Sequence, residues 1–354
     1  MLLSLDMAHP YAAPTMNAPP NLTAARQLSG FRRVNVPSRV AVVIPSWNSR
    51  DLLSRCLDSL RDQGAELELL VVDNGSSDGS VELLEERGVA HLALADNVGF
   101  AAAVNLGASR VEAEAILALN ADTVLRPGCV GELSEALRDD RSLGGAQPRI
   151  LQLEDGEPPA DTAAARLYSA GQALTADGRA LERGAGEAQP ARLPGRHEIF
   201  GACGAACLLR RELFTDLGGY DESYFAFYED VDLNVRARIA GWRFAYVPEA
   251  VVWHVGNASW SAGFTRPGAD NARLVARNRL ATQVKFMPFT AIPRIAVVEL
   301  GALVSAASQR RLRATLAGKL AALRRLPRLL RERRRLRREG DLGAPRRWLG
   351  IRIG

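Results

Sequence analysis

The stretch Leu67-Glu68-Leu69-Leu70-Val71-Val72-Asp73-Asn74-Gly75-Ser76-Ser77-Asp78 decides the architecture. Its apolar part is too short for a typical helix and reads as a strand, Leu67 to Val72, buried on both faces. It ends on an acid, followed by residues that favour a tight turn. The same form recurs on either side. Val40-Ala41-Val42-Val43-Ile44 is an apolar run stopped by Pro45, and Ala115 to Leu119 is another, ending at Asn120-Ala121-Asp122. Helical stretches separate these runs. Ser49 can cap a helix whose apolar positions Leu52, Leu53, Cys56, Leu57 and Leu60 follow helical spacing. Ser80 to Arg87 reads as a short helix, and Pro127 suits the first turn of a helix reaching about Asp139. Alternating strand and helix predict an α/β chain with a doubly wound, mostly parallel sheet. Ligands of such sheets bind beyond the carboxyl ends of the strands. Three polar clusters fall there: Ser46-Trp47-Asn48, Asp73 to Asp78, and Asn120-Ala121-Asp122.

The rest of the 354 residues hangs on this frame. Residues 1–38, rich in Ala, Pro and Asn, read as a disordered lead, and Leu2 to Leu5 is too short for a secretory signal. Gln152 to His197 is poor in regular pattern and reads as an insertion, with a hairpin around Asp177-Gly178 that could cover the site. Structure is expected to resume at Phe200. A helix is expected from Glu229 to Ala240, closed by Gly241, then strands Phe244–Val247 and Val251–His254, and a helix from Ala272 to Phe286. The main domain is thus 39–285. Residues 286–354 form a helical basic tail: from Arg310 onward there are 16 Lys+Arg against 3 Asp+Glu, while the body before it is acidic overall. Leu316, Leu320, Leu323, Leu326, Leu329 and Leu330 among the arginines make a basic amphipathic pattern suited to an anionic membrane surface. A solvated helical face or a packing arm would give the same pattern. No spanning helix is expected in 286–308, because Pro288, Pro293, Arg294 and Glu299 interrupt the apolar run. Cys56, Cys129, Cys203 and Cys207 are too scattered for a disulfide framework or a zinc site, which favours a reducing cytoplasmic setting.

Several residues have chemistry beyond the fold. Asp73, at the end of a buried strand, could accept an imide N–H from a pyrimidine base, or could cap its own turn. Asn97-Val98-Gly99-Phe100 leads into a helix of small residues through Asn105, open to close approach by a diphosphate or simply to close packing. Asp122 is placed to hold a hard divalent cation, and His254, ending a late strand, could reach the same ion from the other side. As isolated residues, both are also explained as a turn acid and a satisfied core histidine. Tyr224, Phe225, Phe227 and Tyr228 run straight into Glu229, Asp230 and Asp232. First-turn acids stabilise a helix dipole, but an aromatic wall edged by carboxylates also suits a sugar. A partly desolvated carboxylate there can act as a general base.

Taken together, Val42 to Asn48, Val71 to Ser80, Asn97 to Ala101, Leu119 to Thr123, Gly218 to Glu222, Tyr228 to Leu233 and the His254 strand resemble the inverting GT-A glycosyltransferases of family 2. Within that family they resemble the bacterial rhamnosyltransferase-like branch. The resemblance covers roughly residues 39–259. It implies that Pro45 and Asn48 line the base and ribose, that Asp73 binds the base, and that Asn97, Gly99 and Asn105 face the nucleotide. It also implies that Asp122 is the last acid of a D-x-D motif and His254 a later metal ligand. Asp230 would be the catalytic base, supported by Glu229. The first D-x-D position is Asn120 here, which removes one negative charge beside the diphosphate and places more of the metal's coordination on substrate oxygens. Arg277-Asn278 also matches the branch, without an evident role.

The expected activity is therefore metal-dependent transfer, with Mg²⁺ or Mn²⁺. A sugar, with dTDP-rhamnose favoured by the branch, would pass from a nucleotide-sugar donor to a hydroxyl of a glycan or lipid-linked acceptor. The expected setting is cell-surface polysaccharide assembly at the inner face of the plasma membrane. The rival readings are a catalytically silent sugar-nucleotide-binding scaffold and a sugar nucleotidyltransferase. The segment Pro45 to Asp51 lacks the Gly-rich, Lys-bearing phosphate loop that the latter would normally show. No specific nucleic-acid partner is expected, since the basic tail has few interleaved aromatics.

Overall fold

The structure is a computed structural model, and it describes residues 39–154, 158–159, 162, 165–188, 195–256 and 267–340. The expected lead (1–38), part of the insertion, and the end of the tail (341–354) lie outside the described residues.

In chain order the elements are β1 (Arg39–Ser46), α1 (Arg50–Ser59), β2 (Glu66–Asp73), α2 (Ser80–Glu86), β3 (His91–Ala93), α3 (Phe100–Ala108), β4 (Ala115–Leu119), β5 (Thr123–Leu125), α4 (Cys129–Asp139) and β6 (Leu143–Gln152). The insertion supplies β7 (Leu167–Ser169), β8 (Gln172–Leu174) and β9 (Ala180–Glu182), followed by β10 (His197–Ile199) and β11 (Ala206–Arg210). Then come α5 (Arg211–Asp216), α6 (Glu229–Ile239), β12 (Arg243–His254), α7 (Pro267–Phe286), α8 (Ile292–Ser308), α9 (Leu312–Arg324) and α10 (Leu326–Glu339).

The main sheet runs β10-β12-β6-β11-β4-β1-β2-β3, with β5 on β12 and β7 on β6. The ladders β1–β2, β1–β4, β2–β3 and β6–β12 are parallel, while β11 runs antiparallel to both β4 and β6. Strands β1 to β4, β6 and β12 therefore run the same way, and the sheet is mostly parallel as the alternation predicts.

Side-chain alternation along β1 explains why the sheet is covered twice. Val40, Val42 and Ile44 face a layer with Leu53, Leu57, Leu84, Leu133 and Leu137. Ala41 and Val43 face the opposite layer, with Val104, Leu213, Phe214, Leu233 and Ala237. Strands buried on both faces lose the polar–apolar alternation and read as continuous apolar runs. The small residues of α3 serve this packing: a Cβ on Gly107 would lie 2.4 Å from Val43 Cγ1.

Two expected strands prove to be one. β12 is continuous from Arg243 to His254, with a register shift between Val247 and Val251. Pro248 lies in that interval and cannot donate to a ladder, so the strand bulges and resumes. The hairpin around Asp177-Gly178 forms as β8–β9. Pro293, expected to interrupt the apolar run, lies in the first turn of α8, where a helix does not need its N–H. Phe289–Ser308 is consequently long and apolar enough, by length and composition, to cross a membrane.

The tail docks on the body rather than extending from it. Thr315, Gly318 and Ala322 of α9 are buried, and a Cβ on Gly318 would lie 2.2 Å from the Arg273 carbonyl oxygen of α7. Leu329 of α10 packs with Tyr224 and Ala281, and Leu336 with Leu174, Phe200 and Val231.

Candidate active site

Asp122 and His254 meet because of strand register. After β4 the chain turns at Asn120 to Asp122 and enters β5, which pairs antiparallel with the end of β12 so that Thr123 opposes His254. Val255 N–H donates to the Asp122 carbonyl at 3.1 Å, closing the junction. The His254 Nε2 then lies 3.1 Å from Asp122 Oδ1 and 3.3 Å from Asn120 Nδ2. Tyr168, from the insertion, stands edge-on to the His254 ring, with centroids 4.4 Å apart. Adjacent ligands of a six-coordinate ion at about 2.1 Å are about 3 Å apart. The Asp122–His254 spacing therefore fits two ligands of one cation.

Glu229 and Asp230, which open α6, line a cavity with Asp122 and His254. Asp230 Oδ2 accepts from Gly204 N–H at 2.9 Å and from Gln172 Nε2 at 2.7 Å, and Oδ1 accepts from Val231 N–H at 2.8 Å. Burial raises the Asp230 carboxyl above its usual range. Burial first, and then the charge of Asp230, hold Glu229 well above the usual range. Glu229 Oε2 is buried with no partner among the described residues.

The approach to α6 is strained. Phe225, Phe227 and Tyr228 all have positive φ (66°, 65° and 70°), a conformation that costs non-glycine residues about 1–2 kcal/mol each. Asn278 holds the turn: its Nδ2 lies 2.9, 2.7 and 2.7 Å from the carbonyl oxygens of Tyr224, Ala226 and Phe227. Arg277 Nη2 donates to the Tyr224 carbonyl at 2.6 Å. The Arg277-Asn278 pair thus sets the direction from which Glu229 and Asp230 enter the cavity.

Two more residues of the insertion complete the site, and sequence reasoning missed both, as it missed Tyr168. Gln172 Nε2 donates to Asp230 and also to Glu182 Oε1 at 3.1 Å. Gln172 Oε1 accepts from Asn234 Nδ2 at 2.8 Å, which orients the amide. Ser169 donates to Glu182 Oε2. Burial, and then the charge of Asp230, raise the Glu182 carboxyl to about 7. One ligand atom from each of Glu182, Cys203 and Asp230 falls within 4.8 Å of the others. The Cys203 thiol is pushed far up by burial, so it is a poor anionic ligand. No local motif marks Gln172 or Glu182. The only sequence signal was that the insertion could cover the site.

Asn120, Asp122, Glu229, Asp230 and His254 line one cavity of about 250 Å³, together with Tyr168, Gln172, Glu182, Phe227 and Tyr228. A smaller cleft of about 50 Å³ adjoins it, sharing Phe100 and Asn120 and lined by Pro45, Trp47, Asn74 and Asn97. Asp73, the last residue of β2 and the chain neighbour of Asn74, lines neither cavity itself. Its Oδ2 accepts from Ser76 N–H at 2.9 Å, while Oδ1 is buried without a partner among the described residues.

Other expected residues make bonds or contacts within the frame. Asn105 lines neither cavity: its amide bonds Tyr220 N–H and carbonyl and the Glu222 carboxylate, tying α3 to the 219–222 turn. Asn48 Oδ1 accepts from Ser77 N–H at 2.8 Å, joining the β1 and β2 end loops. Gly99 has φ 89°, and a Cβ there would lie 2.6 Å from Phe225, so it is needed for backbone approach. Asn97 Oδ1 accepts from Gly99 N–H at 2.9 Å. Of the expected aromatic wall, Phe227 and Tyr228 line the cavity. Tyr224 is buried with its hydroxyl 3.1 Å from Thr282 Oγ1. The four cysteines are free and buried.

Comparison with known proteins agrees with this geometry. Part of the chain is 30% identical over 203 residues to N-acetylglucosaminyl-diphospho-decaprenol L-rhamnosyltransferase of Mycobacterium tuberculosis, covering 53% of this chain and 66% of that one. It is 30% identical over 135 residues to undecaprenyl-phosphate 4-deoxy-4-formamido-L-arabinose transferase of Proteus mirabilis, covering 35% and 40%. The chain thus spans less than two thirds of either relative. The crystal structure of GalNAc-T7 with UDP, GalNAc and Mn2+ superimposes with a TM-score of 0.52 at 16% identity, over 71% of this chain and 48% of that one, which shows a shared fold. The glycosyl transferase family 2 pattern matches residues 41–218, half of the chain. With the sheet order and the cavity at the strand ends, that match makes this protein a member of glycosyl transferase family 2.

Proposed function

We propose that the protein is an inverting, metal-dependent glycosyltransferase that moves a sugar from a nucleotide diphosphate to a hydroxyl of a lipid-linked glycan. The favoured donor is dTDP-rhamnose, and the favoured setting is cell-surface polysaccharide assembly at the cytoplasmic face of the membrane. The observation that carries the reading is that Asp122, His254 and Asp230, distant in sequence, line a single cavity. The relatives, a decaprenol-linked rhamnosyltransferase and an undecaprenyl-phosphate transferase, support the acceptor class.

Asp122 and His254 would hold the divalent cation, Mg²⁺ or Mn²⁺, which when bound supplies Lewis-acid neutralisation of the departing diphosphate. The unpartnered Oδ1 of Asp73 suits the imide N–H of a pyrimidine, with Pro45 and Asn97 bordering the cleft. Phe227 and Tyr228 present apolar faces to a sugar ring. Asp230 is the base. Its raised carboxyl binds protons more readily than an exposed aspartate, while three donors keep its charged form accessible. It would take the acceptor hydroxyl's proton as that oxygen attacks the anomeric carbon opposite the departing diphosphate. One displacement inverts the configuration and requires no covalent sugar–carboxylate intermediate.

A transfer assay tests this directly. The full chain would be given a panel of nucleotide sugars with polyprenyl-linked acceptors, and the product's anomeric configuration read by NMR. Transfer with inversion is expected, and retention of configuration or the absence of any transfer would sink the reading.

A further inference from the structure

Among the described residues nine large apolar side chains stand exposed, and eight of them lie between Phe289 and Leu323. On α8, Val297, Leu300 and Val304 are 64–73% exposed and share one helical face. On α9, Leu316, Leu320 and Leu323 are about half exposed, at the spacing of a single helical face. Single exposed apolar residues need no explanation, but a concentration of this kind marks an interaction surface.

The reverse faces of both helices are fixed. Glu299, near the middle of α8, meets Arg279 of α7 at 2.9 Å and accepts from Gln283 Nε2 at 3.0 Å, and it also pairs with Lys319 of α9. The Gly318 contact seats α9 on α7. The apolar faces are therefore held outward by interactions on the side away from them. From Phe289 to Arg325 the only acid is Glu299, and it is consumed in that inner network, while Arg294, Arg310, Arg311, Arg313 and Arg324 are exposed. An apolar ridge on a segment whose exposed charges are all positive complements an anionic lipid surface.

We propose that the outward faces of α8 and α9 form a membrane-docking surface that beds into the headgroup–acyl boundary of an anionic bilayer, with α8 lying along the membrane plane. The length of Phe289–Ser308 would also permit crossing. Crossing would strip Glu299 from Arg279 and Lys319 and carry a carboxylate into hydrocarbon, which is costly. The in-plane arrangement keeps those pairs on the protein side. The docking element is accordingly the apolar ridge. The arginine-rich α10 already spends its apolar side, through Leu329 and Leu336, on the body. This inference stands apart from the transfer chemistry, since it uses no residue of the cavity.

The test is flotation of the full chain with vesicles of phosphatidylcholine, with and without phosphatidylglycerol. The wild type should float with the anionic vesicles. A triple variant Val297→Gln, Leu300→Gln, Val304→Gln should partition at least about tenfold more weakly. Leu316→Gln, Leu320→Gln, Leu323→Gln provides an independent second variant should circular dichroism show the first to be misfolded. Arg310→Gln, Arg311→Gln, Arg313→Gln should lose the preference for anionic vesicles. Alkaline carbonate should release the wild type from membranes. Equal flotation of the ridge variants and wild type would overturn the proposal, as would resistance to carbonate, which marks a spanning helix. A wild-type dimer in sedimentation that the ridge variants split, without vesicle binding, would overturn it in favour of a second copy on this face.

Discussion

His254 Nε2 stands 3.1 Å from Asp122 Oδ1, and strand pairing brings them there: Thr123, next to Asp122, is the register partner of His254. The β5–β12 ladder fixes the backbone that carries both side chains, so the pair is preformed. His254→Ala and Asp122→Asn should each weaken Mn²⁺-supported nucleotide binding by at least about tenfold. Calorimetric titration of nucleotide diphosphate with and without the metal measures this. Metal dependence that survives both substitutions would count against the pair as ligands.

Gln172 donates one amide nitrogen to two carboxylates, Asp230 and Glu182. Gln172→Leu would leave Asp230 Oδ2 with Gly204 as its remaining donor and Glu182 with Ser169. A loss of about 1–3 kcal/mol in urea unfolding is expected, together with reduced turnover. A variant as stable and as active as wild type would show that the amide orients nothing.

Stability should fall as pH rises through neutrality. Glu182 is raised from 4.5 to about 7, chiefly by burial and then by the charge of Asp230, and Asp230 and Glu229 are raised in the same direction. A raised acid binds more protons in the folded state than in the unfolded state. Its contribution is therefore complete below the unfolded value near 4.5 and is lost as pH climbs through about 7. Glu182→Gln removes its share of this slope, so the fall in Tm between about pH 5 and pH 7.5 should become shallower. Thermal melts across that range check it, and an unchanged slope would exclude Glu182 as a contributor.

Gly99→Ala should be costly at a distance from the chemistry. The new Cβ would sit 2.6 Å from Phe225 at φ 89°, which combines an unfavourable backbone with overpacking, for a loss of about 2–4 kcal/mol. Because Phe225 begins the strained turn leading to Glu229 and Asp230, turnover should fall with stability. Urea unfolding and initial rates on the same preparation measure both.

Local signals carried much of this in the sequence. The runs around Val42, Val71 and Leu117 are buried on both faces, so their apolar composition had one reading, and the polar clusters that follow them mark the strand ends. Asp122, Glu229, Asp230 and His254 follow recognisable strand or helix boundaries. The bonds of Asn105 to the 219–222 turn were not legible, because an asparagine on a helix of small residues looks the same whether it faces a ligand or a neighbouring turn. Gln172 and Glu182 were invisible because their role exists only after β8–β9 folds over the cavity. The part played by Asn278 likewise depends on a turn some fifty residues earlier in the chain. The basic pattern of the tail was legible, but which of its helices would be covered depended on Gly318 and Leu329 finding partners on α7 and the body.

The most direct measurement is donor affinity and turnover of Asp230→Asn, side by side. Asp230 lines the same cavity as the Asp122–His254 pair and is assigned only the acceptor's proton. The variant should therefore bind nucleotide sugar nearly as wild type does, while turnover falls by about 10²-fold or more. Turnover within a few-fold of wild type would contradict the assignment of Asp230 as the base.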